Sequence, residues 1–192
     1  LDKHVVKMPT ETCQMLHTNA LFNEFVDRYG YEPSLSRLKE YHEENESTLM
    51  KPAMLNHPST IWARKNIHNT TWLFEHGIAL CDEYSYRYGG KTHGSFDRIL
   101  RTPMSYEGNS KLATPVDIAM FDKYRIPNKY GMHCWDYVID SYRHYYLEGK
   151  WKFAEWRKNR MPEWWPKDHY VKKYNEEIIA YNETFGATLE LI

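Results

Sequence analysis

Apolar residues recur at helical spacing over the first part of the chain and predict a long first helix. We expect this helix to reach about Arg28 and to end at Gly30, because glycine readily adopts the left-handed conformation that closes a helix. Pro9 lies inside the stretch, lacks a backbone donor, and predicts a kink or a new helix start there. The apolar positions are Val5, Val6, Met8, Met15, Leu16 and Leu21.

The same periodicity returns in two later stretches, residues 58–89 and 134–160. The first of these is apolar on several sides and is the best candidate for a central core helix, ending at the Gly89-Gly90 pair. A last amphipathic helix is expected to end at Gly186. Residues 31–56 are polar and irregular, which predicts an excursion over the surface with one short helix. Residues 91–131 predict a long, turn-rich connection with a short helix over 95–100.

We find no convincing alternation of polar and apolar residues that would predict a strand, so the pattern favours an all-α fold. The 192 residues suffice for one domain with a real core, and we predict a single compact domain over 1–192 with long irregular connections. Its helical core would comprise about 2–29, 58–89 and 134–160, followed by a C-terminal tail, 161–192.

Composition narrows the class of protein only slightly. The net charge of −1 does not by itself indicate a polyanionic partner, but aromatic residues make up 16 % of the chain. Three distant cysteines without a CxxC pair predict neither disulfides nor a zinc site, and suit a reducing cytosol. No apolar run reaches about 18 residues, so no membrane span is predicted. The chain opens inside a helical pattern without an initiator Met, which leaves open a missing upstream segment.

His4 and Glu11 are the candidate catalytic residues. They lie seven residues apart, so two helical turns place both side chains on one face of the first helix. A His and Glu row on a helix that packs against a core often lines a cleft, although the same row could simply be a solvated face. Lys7 precedes Glu11 by four residues, and we expect an ion pair between them. Spacing typical of a metal site is absent around Glu75 and His76, and we predict no metal and no cofactor.

A basic and aromatic segment, residues 150–173, holds eight Lys or Arg against three acidic residues, together with four Trp and one Phe. Cations neutralise phosphates and aromatic faces accept unstacked bases, so this composition suits nucleic acid. The alternative is that the tryptophans are core and the charges are solvated. An acidic stretch at 40–46 would have to face away from DNA. The predicted nucleic-acid-binding residues are Lys3, Lys7, Arg64, His68, Arg143, Lys150, Lys152, Arg157, Lys158 and Arg160.

Three segments, in order, resemble the phage pyrimidine-dimer DNA glycosylases, also called endonuclease V. They are the D-x-H opening with Glu11 seven residues after His4, the helix HPSTIWARKNIHNTTWLFEHGIALCDEYSYRYG, and the segment YRHYYLEGK. The chain is more similar still to uncharacterised phage and bacterial proteins with a KHVVKM opening. The resemblance implies an all-α enzyme that binds double-stranded DNA, flips out a base and acts on a damaged or modified pyrimidine. It also implies a glycosylase with an abasic-site lyase step, run by the free N-terminal amine as nucleophile, in the cytoplasm of a bacterial or phage-infected cell. Glu11 would be the essential carboxylate and His4 would lie beside it.

Two alternatives stay open. The family carries basic residues beside the catalytic Glu, whereas Thr10 and Gln14 are neutral here, which favours a phage transferase that hypermodifies thymine on the same scaffold. The remaining alternative is a non-catalytic module that binds nucleic acid or protein through its tryptophans. If the terminal amine is not the nucleophile, Lys3 and Lys7 are the nearest lysines. The sequence does not fix the oligomeric state.

Overall fold

A computed structural model describes residues 1–104 and 112–192, and the regular secondary structure of these residues is helical. The predicted all-α fold is confirmed, since these ranges contain seven α-helices, three 3-10 turns and no strand. Residues 105–111 of the predicted 91–131 connection lie outside the described residues. The helices are α1 Asp2–Tyr29, α2 Leu35–Glu44, α3 Pro58–Arg64, α4 Ile67–Arg87, α5 Phe96–Leu100, α6 Trp135–Gly149 and α7 His169–Phe185, and the 3-10 turns are Asp122–Tyr124, Trp151–Phe153 and Arg157–Asn159.

The helix ends follow local capping chemistry. Gly30 closes α1 with a positive φ of 75°, as expected, whereas Pro9 starts no new helix because α1 continues through it. The predicted central helix is in fact two helices. The side chain of Asn66 accepts a hydrogen bond from the backbone N–H of Asn69 and so begins α4 just after α3. His57 caps α3 in the same way, through the N–H of Ser59.

The centre of the molecule is the contact between α1 and α4. Gly77 of α4 faces Thr12 of α1 so closely that a Cβ added at Gly77 would lie 2.7 Å from the Thr12 Cγ2 atom. The absence of a side chain at Gly77 therefore lets the two helices approach. The buried residues around this contact are Cys13, Met15, Leu16, Trp62, Ala63, Leu73, Cys81 and Ile99.

The segment before α3 does not run over the surface as predicted. Leu38 and Tyr41 of α2 are buried with Phe22 and Phe25 of α1, which form a second core cluster. Polar side chains of α1 also bind the backbone of the irregular chain that follows α2, which explains how a segment without secondary structure can be packed against a helix. For example, His17 Nδ1 accepts the Met50 N–H at 2.8 Å. The Thr18 hydroxyl likewise bonds the backbone of Ala53, and the Asn19 side chain donates to the Thr60 carbonyl at the start of α3.

Residues 150–160 do not extend α6 as predicted but form two 3-10 turns. Asp2 holds the second turn to the start of α1, because its buried carboxylate accepts the Arg157 N–H at 3.0 Å and pairs with Arg87 at 2.9 Å. Glu83 of α4 completes the attachment by pairing with Arg87 and Arg160. Among the helices of residues 1–104 and 112–192, none has the length and apolarity that crossing a membrane requires.

Candidate functional site

A cavity of about 560 Å³ opens between α6 on one side and α1, α3 and α4 on the other. Its volume lies within the range of small-molecule sites. The wall is mainly apolar, and the charged side chain that lines it is Arg143. We call this cavity the aromatic pocket, after the six aromatic side chains in its wall: Trp62, Trp72, Trp135, Tyr142, Tyr146 and Trp164.

Helical spacing explains how these rings come together. Trp135, Tyr142 and Tyr146 lie seven and four residues apart on α6, so they project from one face of that helix. Trp72 of α4 meets Trp135 with ring centroids 5.6 Å apart, and it meets Trp62 edge-on at the same distance. Trp62 is itself fixed, because its indole N–H donates to Thr114 at 3.0 Å.

His4 is coupled to the pocket through Tyr146. The Tyr146 hydroxyl and His4 Nδ1 are 2.6 Å apart, and the two rings meet edge to face. Burial lowers the pKa of His4 to about 4, and burial raises the pKa of Tyr146 above its usual value. At neutral pH the imidazole and the phenol are therefore both neutral, and they share one hydrogen bond between Nδ1 and the hydroxyl oxygen.

Glu11 lies beside the pocket rather than in its wall. Its carboxylate pairs with the Lys7 ammonium at 2.8 Å, which confirms the predicted ion pair four residues apart. The hydrogen bond to Glu11 raises the pKa of Lys7. The negative charge of Glu11 also acts on His4, so the two predicted catalytic side chains share one electrostatic environment.

His76 of α4 is a wall residue that the sequence analysis considered only as a metal ligand. Its half-buried ring stacks on Trp72 with centroids 5.0 Å apart and an interplanar angle of 15°. Burial lowers its pKa, so the imidazole is neutral at neutral pH. Within residues 1–104 and 112–192, no three His, Cys, Asp or Glu side chains are grouped as a metal ion would require.

The residues predicted to bind nucleic acid fall into distinct classes. Arg64 is buried, with its guanidinium 4.2 Å from the centre of the Phe22 ring and bonded to the Leu55 carbonyl. This position does not suit the predicted phosphate contact. His68 is exposed on the first turn of α4. Four of the predicted cations are in ion pairs: Lys7 with Glu11, Lys152 with Glu177, Arg157 with Asp2 and Arg160 with Glu83.

Four further predicted cations have no carboxylate within ion-pair distance in the described part of the chain. We call Lys3, Arg143, Lys150 and Lys158 the unpaired cations. Three of them stand over aromatic rings close to the pocket or to His4. The Lys3 ammonium lies 4.8 Å from the Phe153 ring, that of Lys150 lies 4.9 Å from the Tyr145 ring, and the Arg143 guanidinium lies 5.6 Å from the Trp164 ring.

The sequence analysis left two interpretations of the tryptophans in the basic segment, a surface that stacks on bases and a protein core, and the structure contains examples that suit each. Trp151 and Trp165 are only 5 % exposed and pack with the start of α7, as a core interpretation expects. Trp164 instead lines the aromatic pocket. Tyr142 and Tyr146 were not among the predicted site residues, because a ring that lines a cavity and a ring in a core follow the same helical spacing.

Comparisons of this chain with family models, with curated proteins and with solved structures found no match. The site is therefore interpreted from its own geometry.

Proposed function

We propose that this protein binds DNA and takes an unstacked pyrimidine base into the aromatic pocket, where it acts as a glycosylase with an abasic-site lyase step. The observation that carries the proposal is the six-ring pocket of about 560 Å³ with Arg143 in its wall. Stacking on aromatic side chains contributes about 1–3 kcal/mol per base. A concave pocket accepts a base only after the base has left the duplex, and extrusion costs a few kcal/mol that such stacking can offset.

The unpaired cations support a nucleic acid rather than a free apolar ligand. A base held in the pocket keeps its phosphates outside, where Lys3 and Lys150 offer positive charge with no carboxylate within ion-pair distance among the described residues, and Arg143 adds a cation at the pocket wall. Arg157 and Arg160 are the less suitable contacts, since Asp2 and Glu83 already bind them.

The positions of His4 and Glu11 suit chemistry at the sugar. When the base lies in the pocket, C1′ of its sugar lies at the margin, and both residues are beside the pocket rather than in it. In the proposed reaction an amine attacks C1′, the bond to the base breaks with its electron pair, and the base takes up the proton that the amine loses. The C1′–O4′ bond of the sugar then breaks, O4′ takes up a proton, and C1′ becomes a cationic imine. The carboxylate of Glu11 would stabilise the cationic imine that results. Lys7 is a poor candidate for the amine, because Glu11 favours its charged form.

A borohydride trap tests this chemistry. The protein is mixed with duplexes that contain an abasic site or a thymine dimer, and borohydride reduces any imine to a stable adduct that mass spectrometry locates on the chain. We expect an adduct in the wild type and a much weaker one in Glu11→Gln. Binding without an adduct on either duplex would reject the lyase step, and full activity in Glu11→Gln would reject the role of the carboxylate.

One observation favours a second candidate, a transferase that modifies thymine. The hydroxyl of Thr10 lies 3.2 Å from that of Ser95, so the position beside Glu11 that is basic in the resembled family is occupied by an internal contact. Such an enzyme would keep the base pocket and the carboxylate without needing an amine nucleophile. Tight binding of a duplex with an extrahelical thymine, together with no trapped adduct, would favour this candidate over the glycosylase.

The salt dependence of DNA binding tests the unpaired cations with matched controls. Each phosphate contact contributes about 0.9 to the slope of log K against log salt concentration. We expect Lys150→Gln to lower the slope by about one contact, whereas Lys152→Gln leaves it nearly unchanged because Glu177 already pairs with Lys152. Equal slopes for the two variants would contradict this assignment of the phosphate contacts.

A further inference from the structure

The histidines of this chain differ in whether the protein supplies their hydrogen-bond partners. His17, His93 and His169 each bond a backbone carbonyl or N–H group, and His4 bonds Tyr146. His76 is half-buried in the wall of the aromatic pocket and has no hydrogen-bond partner among residues 1–104 and 112–192. Because the ring keeps some exposure in the pocket wall, its nitrogens are open to a hydrogen-bond partner from outside the chain.

The position of the His76 ring is set by packing instead. The ring lies nearly parallel to Trp72, at 15°, so stacking fixes its plane without using its nitrogens. Three other polar groups of the wall are already bonded within the protein. The Tyr142 hydroxyl accepts the Ala119 N–H, the Tyr146 hydroxyl shares a hydrogen bond with His4, and the Trp62 indole donates to Thr114.

The other polar groups of the wall differ from His76 in what they offer a base: the Arg143 guanidinium and the indole N–H groups of Trp72, Trp135 and Trp164 can only donate hydrogen bonds. The hydroxyl oxygen of Thr12 also lacks a partner, but it is fully buried and has no surface that a ligand could touch. The ring of His76 retains some exposure in the pocket wall. A neutral imidazole offers one donor and one acceptor, and the edge of a pyrimidine presents both kinds of group.

We propose that His76 is the specificity-determining residue of the pocket and that a ring nitrogen hydrogen-bonds the edge of the bound pyrimidine, an inference that rests on the proposed function. The aromatic rings would bind any flat base by stacking, which is tolerant of sequence. A directional hydrogen bond from His76 would distinguish bases by their edges. Leaving such a bond unmade costs binding energy, because the bound base displaces water from the imidazole without replacing its hydrogen bond.

The test compares three short duplexes in binding experiments at one salt concentration. The first has a thymine opposite an abasic position, so that the base is free to leave the helix. The second has difluorotoluene at that position, which copies the shape of thymine but hydrogen-bonds poorly. The third has no base there at all. The proteins are the wild type, His76→Phe, which keeps a ring on Trp72, and His76→Gln, which keeps a hydrogen-bonding group.

We expect the wild type to bind the thymine duplex about tenfold more tightly than the difluorotoluene duplex, the size of one good hydrogen bond. His76→Phe should lose this preference while binding the difluorotoluene duplex as well as the wild type does, and His76→Gln should keep part of the preference. A preference that survives in His76→Phe would overturn the role of His76 and leave the base pocket intact. Equal wild-type affinity for the thymine duplex and the duplex without a base would instead overturn the proposed function itself.

Discussion

The contact between Gly77 and Thr12 offers the sharpest test of how the core positions the pocket. In Gly77→Ala the new Cβ would lie 2.7 Å from Thr12 Cγ2 and 3.1 Å from Ile99 Cδ1. Carbon atoms in favourable contact are about 3.5–4.0 Å apart, so at least the contact with Thr12 requires movement. The Ile99 Cδ1 atom is the flexible end of a long side chain and can move away. Thr12 Cγ2 is bonded directly to Cβ, so it cannot easily move without the helix backbone.

The expected magnitude combines two opposing effects. Overpacking a core by one methyl group costs about 1–3 kcal/mol, while Ala in place of Gly inside a helix gains about 1 kcal/mol. Gly77→Ala should therefore lower the free energy of unfolding by about 0–2 kcal/mol. Thr12→Ser removes the methyl group that clashes and should cost about 1 kcal/mol on its own. In the double variant the new methyl takes the place of the lost one, so its stability should approach that of the wild type.

Urea unfolding of the wild type, the two single variants and the double variant measures the coupling between the sites. We expect the double variant to be at least about 1 kcal/mol more stable than the sum of the single changes predicts. Ser keeps the hydroxyl of Thr12, so the comparison isolates the methyl group. Additivity within about 0.5 kcal/mol, or a clear stabilisation by Gly77→Ala alone, would refute the close approach of the two helices.

Three further predictions concern stability. In the unfolded chain His4 takes up a proton below its ordinary pKa of 6.5, whereas in the folded protein its pKa is about 4. The protein should therefore lose stability as the pH falls between these two values. His4→Gln should show a smaller decrease of the urea midpoint across this range. Hydrogen bonds from Arg160 and Arg87 lower the pKa of Glu83, so the stabilisation of the fold by Glu83 is present above about pH 4.5 and is lost as the pH falls through the lowered pKa. Glu83→Gln should therefore be less stable than the wild type at neutral pH, and the two proteins should become equally stable in acid. A stability difference that does not change with pH would contradict the ion pairs. Leu38→Ala should lower the free energy of unfolding by about 2–5 kcal/mol in the same assay, because Leu38 is 0 % exposed, and a loss below about 1 kcal/mol would contradict the packing of α2 on α1.

The helices that local sequence signals define were predictable, and the contacts between distant residues were not. Gly30 and Gly186 both have positive φ at helix ends, as the sequence analysis expected. The helix break at Asn66 was missed because a capping side chain in a strongly periodic stretch resembles any other polar residue. The burial of Leu38 was missed because its neighbours are polar and its partners lie on α1, far away in the sequence.

The candidate site shows the same division. The ion pair of Lys7 with Glu11 follows from a four-residue spacing, and the structure confirms it. The contact of His4 with Tyr146 joins residues 142 positions apart, and no local pattern reports it. The sequence also could not predict which lysines form ion pairs. Whether Lys150 or Lys152 has a carboxylate partner depends on the position of α7, which carries Glu177.

The acidic stretch at 40–46 is compatible with a DNA-binding site near His4 because of where α2 packs. Tyr41 donates a hydrogen bond to Glu24, and Arg28 donates one to Asn45, so the acidic stretch lies against the C-terminal part of α1. His4 lies twenty residues before Glu24 on the same continuous helix, which corresponds to about 30 Å at a rise of about 1.5 Å per residue. The Debye length at physiological salt is about 8 Å, so repulsion from this stretch is strongly screened at the pocket. The length of α1 thus separates the acidic stretch, at its C-terminal end, from the unpaired Lys3 at its N-terminal end. A duplex bound over the pocket would lie near the N-terminal end.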